Sequence, residues 1–138
     1  MKCNFKIRNY LDIEIDGRII DLHNNFDFTG YQHNEPLNQL TISFVKSSGS
    51  WVPAGEFAAL SFTLKGINYL RLLPPDPELP GDEDQCLMSV TFYYPDDREE
   101  DYWLLAKELP DAGDDIIFRF RSDRVIRANC DSVILEAI

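Results

Sequence analysis

Residues 86–94 read Cys-Leu-Met-Ser-Val-Thr-Phe-Tyr-Tyr, and this stretch decides the class of fold. Its side chains alternate between two faces: Cys86, Met88, Val90, Phe92 and Tyr94 on one, and Leu87, Ser89, Thr91 and Tyr93 on the other. A period of two is what a β-strand with one buried face requires. We therefore predict a core strand at 86–94.

The same period recurs along the rest of the chain, between turn residues. The predicted strands are 11–15, 18–22, 26–31, 40–44, 57–64, 67–73, 86–94, 116–121, 124–128 and 132–138. Residues 57–64 also fit a helical period, but their serine and threonine and the break at Lys65-Gly66 favour a strand. Many short strands at close spacing are typical of an antiparallel sandwich or barrel. We predict a mainly β fold, a single antiparallel β-sandwich or barrel of about nine or ten short strands, in one domain spanning 1–138.

One short helix is predicted near 98–108. Asp97 and Glu100 have the spacing of a capping box, and Pro110 follows at the other end. A helix here could bury four residues: Tyr102, Leu105, Ala106 and Leu109.

The negative charge of the chain is concentrated in one segment. The net charge is −11, and residues 76–115 contain fourteen Asp and Glu against only Arg98 and Lys107. Such charge repels the phosphate backbone of nucleic acids and anionic membrane surfaces, so we expect neither as a partner. Clustered carboxylates instead favour a basic protein partner.

Ten carboxylates of this segment form the predicted partner-binding surface. They are Asp76, Glu78, Asp82, Glu83, Asp84, Asp96, Asp97, Glu99, Glu100 and Asp101. Solvated loops that only keep the protein soluble are the alternative for such a charge run. The spacing of an EF-hand is absent, and no carboxylate pair stands out as a glycosidase acid and base. We therefore predict no metal site, no cofactor and no catalytic carboxylate.

Four arginines near the end of the chain have two possible roles. They are Arg119, Arg121, Arg124 and Arg127. Arg119 and Arg121 share a strand face and could clamp an anion. Pairing with the chain's own carboxylates is the alternative, and the acidic composition favours it.

Histidines, cysteines and tryptophans complete the set of candidates. The residues His23, His33, Cys3, Cys86 and Cys130 lack the close spacing of zinc ligands. Three widely spread cysteines indicate reduced thiols and a cytoplasmic location. A Cys–His dyad stays open, although no nucleophile motif surrounds it. Trp51 and Trp103 are possible interface aromatics if they do not pack onto the core.

In overall character the chain resembles the all-β immunity proteins of bacterial polymorphic toxin systems, and uncharacterised bacterial domains of similar size. The resemblance lies in a small, acidic, mostly β chain in which Phe28-Thr29-Gly30-Tyr31 leads into Leu40-Thr41-Ile42-Ser43-Phe44. It implies an acidic surface that blocks a basic toxin, often a nuclease. It transfers no individual residue.

The sequence therefore predicts a non-enzymatic binding domain that uses its acidic surface against a basic protein. Two alternatives stay open. A β-barrel that holds a small ligand requires a sizeable apolar cavity. A hydrolase with a carboxylate or Cys–His site requires two titratable groups that converge in a cleft. Catalysis, strand order and oligomeric state are left open by the sequence.

Overall fold

The computed structural model describes all residues, 1–138, and its secondary structure consists almost entirely of strands. The strands are β1 Lys2–Cys3, β2 Lys6–Arg8, β3 Asp12–Ile15, β4 Arg18–Asp21, β5 Phe26–Asn34, β6 Gln39–Lys46, β7 Ala59–Leu73, β8 Leu87–Tyr93, β9 Asp115–Phe120 and β10 Val125–Ala137. A one-turn helix, α1, spans Leu22–Asn25, and a 3₁₀ turn spans Gly81–Gln85. Neither helix has the length and apolar composition that crossing a membrane needs.

Two antiparallel sheets build the fold. The larger has the order β5-β6-β7-β10-β9-β8, with β1 added in parallel to β10, and it curls into a half-barrel. The smaller contains β2, β3 and β4 in that order. The predicted mainly β architecture, with about ten strands, is confirmed.

Phenylalanine rings fill the concave side of the half-barrel. Phe62 lies near the centre, with ring centroids 5.4 Å from Phe5, 6.0 Å from Phe44 and 5.4 Å from Phe118. Each edge-on aromatic pair adds about 0.5–1.5 kcal/mol to the burial of its area. The small sheet closes the open side of this core with Ile7, Ile13 and Ile20.

Two strands are longer than the sequence predicts. The predicted strands 57–64 and 67–73 are one strand, β7, and 124–128 and 132–138 are one strand, β10. The break expected at Lys65-Gly66 does not end the strand: Gly66 takes a φ of +66°, and a bulge follows at Asn68, which is skipped between the pairs Ile67↔Cys130 and Tyr69↔Asn129. A bulge keeps the ladder continuous while it bends the strand.

The strand at 86–94 also departs from simple alternation. It forms as β8, but its pairing with β9 shifts between Leu87 and Ser89. Leu87, Val90 and Phe92 therefore face the core, while Met88 is 44 % exposed. A bulge adds one residue to a strand, so side chains before the bulge point to the opposite face from the one that simple alternation predicts. Cys86 and Met88 thus do not share the core face with Val90.

The helix predicted at 98–108 is absent, and these residues form an irregular segment. Tyr102 and Leu109, which the helix was expected to bury, are 65 % and 50 % exposed. A helix of this length is marginal unless one face packs on the rest of the protein. Here Arg98 and Asp101 are held by strands of the large sheet, and Lys107 is held by Asp114 just before β9, which fixes an irregular path instead.

Candidate functional site

Residues 94–110 lie across the convex side of β7, β8, β9 and β10, and we call this segment the strap. Under it lies a row of paired residues, one from each of four strands: Thr91, Ile117, Arg127 and Arg71. Thr91, Ile117 and Arg127 are almost fully buried although they face away from the core. The strap therefore closes the convex side of the sheet over this row.

Asp101 attaches the middle of the strap to two arginines of this row. Its Oδ2 lies 3.0 Å from Nη1 of Arg71, and its Oδ1 lies 3.2 Å from Nη1 of Arg127. Asp101 is 4 % exposed and Arg127 is 0 % exposed. Arg127 also donates to the backbone carbonyls of Tyr94 at 3.0 Å and Glu100 at 3.1 Å. The buried guanidinium of Arg127 thus donates to one carboxylate and to two carbonyls of the strap.

Asp115 is the second anchor of this network. It accepts hydrogen bonds from Nε and Nη2 of Arg98, at 3.0 and 2.9 Å, and from Nε of Arg127 at 2.8 Å. Asn129 donates to it at 2.9 Å. Burial alone would raise the pKa of the Asp115 carboxyl, but these hydrogen bonds outweigh burial and hold the pKa below its ordinary value of 3.8.

The second half of the strap is held by contacts with β8, with β2 and with the loop before β9. Oγ1 of Thr91 lies 3.4 Å from both the backbone nitrogen and the carbonyl oxygen of Leu105. Lys107 donates to Asp114 at 2.8 Å. The amide of Ile7 donates to the carbonyl of Glu108 at 2.9 Å, which is the backbone–backbone bond that joins the strap to a strand. Side chains rather than a β-ladder therefore hold the strap in place.

The outer surface of the strap is both acidic and apolar. Trp103 is 56 % exposed, and four further apolar side chains of the strap are exposed: Tyr94, Tyr102, Leu104 and Leu109. Four carboxylates of the strap are exposed and make no ion pair: Asp96, Asp97, Glu99 and Glu100. Exposed tyrosine and tryptophan on a fixed backbone are typical of binding hot spots.

The other carboxylates of the predicted acidic surface have different surroundings. Glu83 pairs with Arg121 at 3.0 Å, and Asp84 pairs with Arg124 at 2.8 Å. Asp101 is buried under the strap. Asp76 is half-buried, and it accepts a hydrogen bond from the Glu78 amide. Three of the ten predicted surface carboxylates therefore neutralise arginines of the same chain.

The exposed, unpaired carboxylates fall into two groups. Glu78 and Asp82 lie in the loop before β8, near the β9–β10 turn. The group at 96–100 lies beyond the other end of β8, whose seven residues span about 20 Å. The segment that is acidic in sequence is thus divided in space. The strap carries four of the six exposed, unpaired carboxylates.

Three of the four arginines pair with carboxylates, the alternative that the composition favoured. Arg121, Arg124 and Arg127 each bind a carboxylate of the segment 76–115. Burial would raise the pKa of the Asp84 carboxyl, yet hydrogen bonds from Arg124 and Ser122 lower it. Arg119 instead stacks on the ring of Tyr102, with its Cζ 4.4 Å from the ring centroid. The anion clamp of Arg119 and Arg121 is not formed.

One Cys–His contact exists, between Cys86 and His23. The Sγ atom lies 3.4 Å from Nδ1 of His23, but Nδ1 also lies 2.7 Å from the carbonyl oxygen of Leu87. A ring nitrogen that donates to a carbonyl cannot accept the thiol proton. Burial also raises the pKa of the Cys86 thiol, more than Arg121 lowers it. This geometry does not activate the thiol as a nucleophile.

The remaining candidates lie apart from the strap. Burial raises the pKa of Cys3 to about 11 and that of Cys130 to about 12. His33 lies on β5, opposite Leu40. Trp51 is 64 % exposed and donates through Nε1 to the carbonyl of Asn24, 2.6 Å away. No cluster of three His, Cys, Asp or Glu side chains is arranged to hold a metal ion.

The surface depressions do not resemble a ligand-binding barrel interior. The most voluminous, about 530 Å³, is lined by polar residues of the β5–β6 hairpin, including Gln32, His33 and Glu35. A depression of about 250 Å³ lies where the strap meets β2, beside Arg8 and Lys107.

Sequence reasoning missed several residues that build this site. Arg71 interrupts an apolar run in β7, and a charge within such a run was a usable signal of a buried partner. Asn129 and Thr91 gave no comparable signal. Tyr94, Tyr102 and Leu104 were not predicted as surface residues because the predicted strand and helix assigned them other neighbours.

No protein-family model, no curated protein and no solved structure matches this chain. A function therefore has to be supported by the geometry of the chain itself.

Lowering the pH is expected to weaken the fold through Asp115 and Asp84. Both folded-state pKa values lie below 3.8, so the stability these carboxylates supply is present above the unfolded pKa and is lost as the pH falls below about 4. The measurement is the urea midpoint at pH values between about 7 and 3. D84N should make the urea midpoint depend less on pH in this acidic range. D97N, which removes an unpaired carboxylate, should leave the pH dependence unchanged. Equal slopes in both variants would contradict the assignment.

Proposed function

We propose that this protein is a non-enzymatic binding domain whose strap binds a basic protein. The observation that supports this proposal best is that the strap is anchored by buried ion pairs, yet leaves four carboxylates and five apolar side chains exposed. A segment that served only for solubility would not need Tyr102, Trp103 and Leu104 at its surface.

The physical properties of the strap suit protein recognition. Its backbone is already ordered, so binding does not have to supply the full entropy of ordering a loop. Unpaired carboxylates speed encounter with a basic partner and help to select it. Irregular segments longer than about 12–15 residues within a compact fold are commonly functional.

The resemblance to bacterial immunity proteins suggests the class of partner. A basic toxin, often a nuclease, would meet the acidic strap, and the domain would act by covering the toxin's surface. We propose the cytoplasm as the place of action, in keeping with three free thiols.

The test compares two variants that lose the same number of charges. The first carries D82N, D96N, D97N, E99Q and E100Q, all at exposed carboxylates of the segment 76–115. The matched control carries D16N, D123N, D131N, E35Q and E136Q, all at exposed carboxylates elsewhere. Glu83 and Asp84 are left intact in both, because their ion pairs support the fold.

Both variants are used as bait for native-cell extract at low and at high salt. We expect wild type and control to retain the same basic protein at low salt, and the first variant to lose most of it. High salt should release the partner from all three, because exposed charges are screened. Equal retention by the two variants would contradict a role for the strap carboxylates.

A further inference from the structure

The tyrosines under and within the strap are already in contact with cations of the chain. The guanidinium of Arg98 lies 3.7 Å from the ring centroid of Tyr69, and Nζ of Lys107 lies 4.3 Å from that of Tyr94. Arg119 covers Tyr102. Trp103 is the remaining aromatic residue of the strap, and no Lys or Arg of the chain lies over its ring.

Arg119 makes no ion pair and lies beside Trp103 in the structure, but its guanidinium is already stacked on the ring of Tyr102. The lysines without a carboxylate partner are Lys2, Lys6, Lys46 and Lys65, on β1, β2, β6 and β7. Lys65 lies on β7 opposite Ser132, beyond the bulge and away from the Arg71–Arg127 pair. No cation of the chain lies over the ring of Trp103, and this exposed ring is therefore free to receive a cation from another molecule.

Trp103 is well suited to receive such a cation. The indole ring is the strongest aromatic acceptor of a cation. Its surroundings on the strap are anionic, through the four carboxylates at 96–100. The two arginines that stack on rings here, Arg98 and Arg119, show that this surface accommodates a planar guanidinium against an aromatic face.

We propose that Trp103 is the strap's acceptor for an arginine side chain of the basic partner. This inference rests on the proposed function and specifies the chemistry that the strap recognises. Arginine is favoured over lysine because a guanidinium can stack on the indole while its N–H groups pair with a carboxylate.

The experiment uses a nine-residue arginine peptide and a nine-residue lysine peptide as probes, with affinity measured by calorimetry at low salt. Three proteins are compared: wild type, W103L, and W51L as a matched control at another exposed tryptophan. We expect W103L to bind the arginine peptide about 2- to 30-fold more weakly than wild type, the range for one cation–π contact. W51L should bind as wild type does, and the preference for arginine over lysine should shrink in W103L alone.

The outcomes separate this inference from the proposed function. If the five-charge variant with D82N and the four strap substitutions loses peptide binding but W103L and W51L do not differ, the proposal for Trp103 is wrong and the proposed acidic surface stands. If this five-charge variant binds as tightly as its charge-matched control, the proposed acidic surface itself is wrong. If the wild type binds neither peptide, both proposals are overturned.

Discussion

Replacing Arg127 by methionine should lower the free energy of unfolding by about 3–5 kcal/mol, the usual effect of removing one partner of a buried ion pair. Methionine keeps much of the side-chain volume. It leaves the buried carboxylates of Asp101 and Asp115, and the carbonyls of Tyr94 and Glu100, without their shared donor. Buried acceptors that lose their donor retain the full desolvation penalty.

Urea unfolding followed by circular dichroism measures this effect, and R121M is the control. Arg121 also pairs with a carboxylate, but its side chain is 52 % exposed, so R121M should change the free energy by less than about 1 kcal/mol. An R127M protein within 1 kcal/mol of wild type would show that the network under the strap does not hold the fold together.

Replacing Asp101 by asparagine should release the strap while the sheet stays intact. The carboxylate charge that pairs with Arg71 and Arg127 is lost, but Arg127 keeps Asp115, and Arg71 keeps the carbonyl of Arg98 at 2.6 Å. Because one backbone–backbone bond joins the strap to a strand, opening it breaks none of the ladder. We expect amide exchange within 99–107 to rise about 10- to 100-fold, corresponding to about 1.5–3 kcal/mol.

Hydrogen exchange read by mass spectrometry checks this release, with D97N as the control at an exposed carboxylate of the same segment. Exchange in β7, β9 and β10 should stay as slow as in wild type. If exchange rises equally in the strap and in those strands, Asp101 supports the whole fold and does not act locally. If exchange in the strap does not rise, the segment is fixed by other contacts.

Strand positions could be predicted because alternation is a local property. The turn at Asp16-Gly17 and the strands beside it follow from four or five neighbouring residues, and they form as predicted. Bulges are not visible in the same way. Met88 continues the alternation of its strand perfectly, yet a register shift with β9 places it at the surface.

The strap could not be predicted because distant residues determine it. The capping spacing of Asp97 and Glu100 is a genuine helix signal, but it is a contribution of about 1 kcal/mol. Asp101 meets Arg71 and Arg127, which are 30 and 26 positions away in sequence. Ion pairs in a buried network outweigh a local cap, so the segment stays irregular and does not form a helix.

The candidate site could be predicted only in part, because distant residues also determine which of its carboxylates are exposed. Composition identified the segment 76–115 as acidic, and Trp103 within it as a possible interface residue. Sequence alone could not separate Asp97, which is exposed, from Asp101, which is buried. That distinction depends on which carboxylate lies opposite the arginines of β7 and β10.

The central claim is that the strap is the surface that binds the partner, and the most direct test is a hydrogen-exchange footprint of the complex. The captured basic protein is purified and added to wild type, and exchange is compared with that of the free domain. We predict new protection within 96–105, with the 47–58 loop and the β5–β6 hairpin unchanged. Protection confined to the loop or the hairpin, with the strap exchanging as in the free protein, would contradict the account.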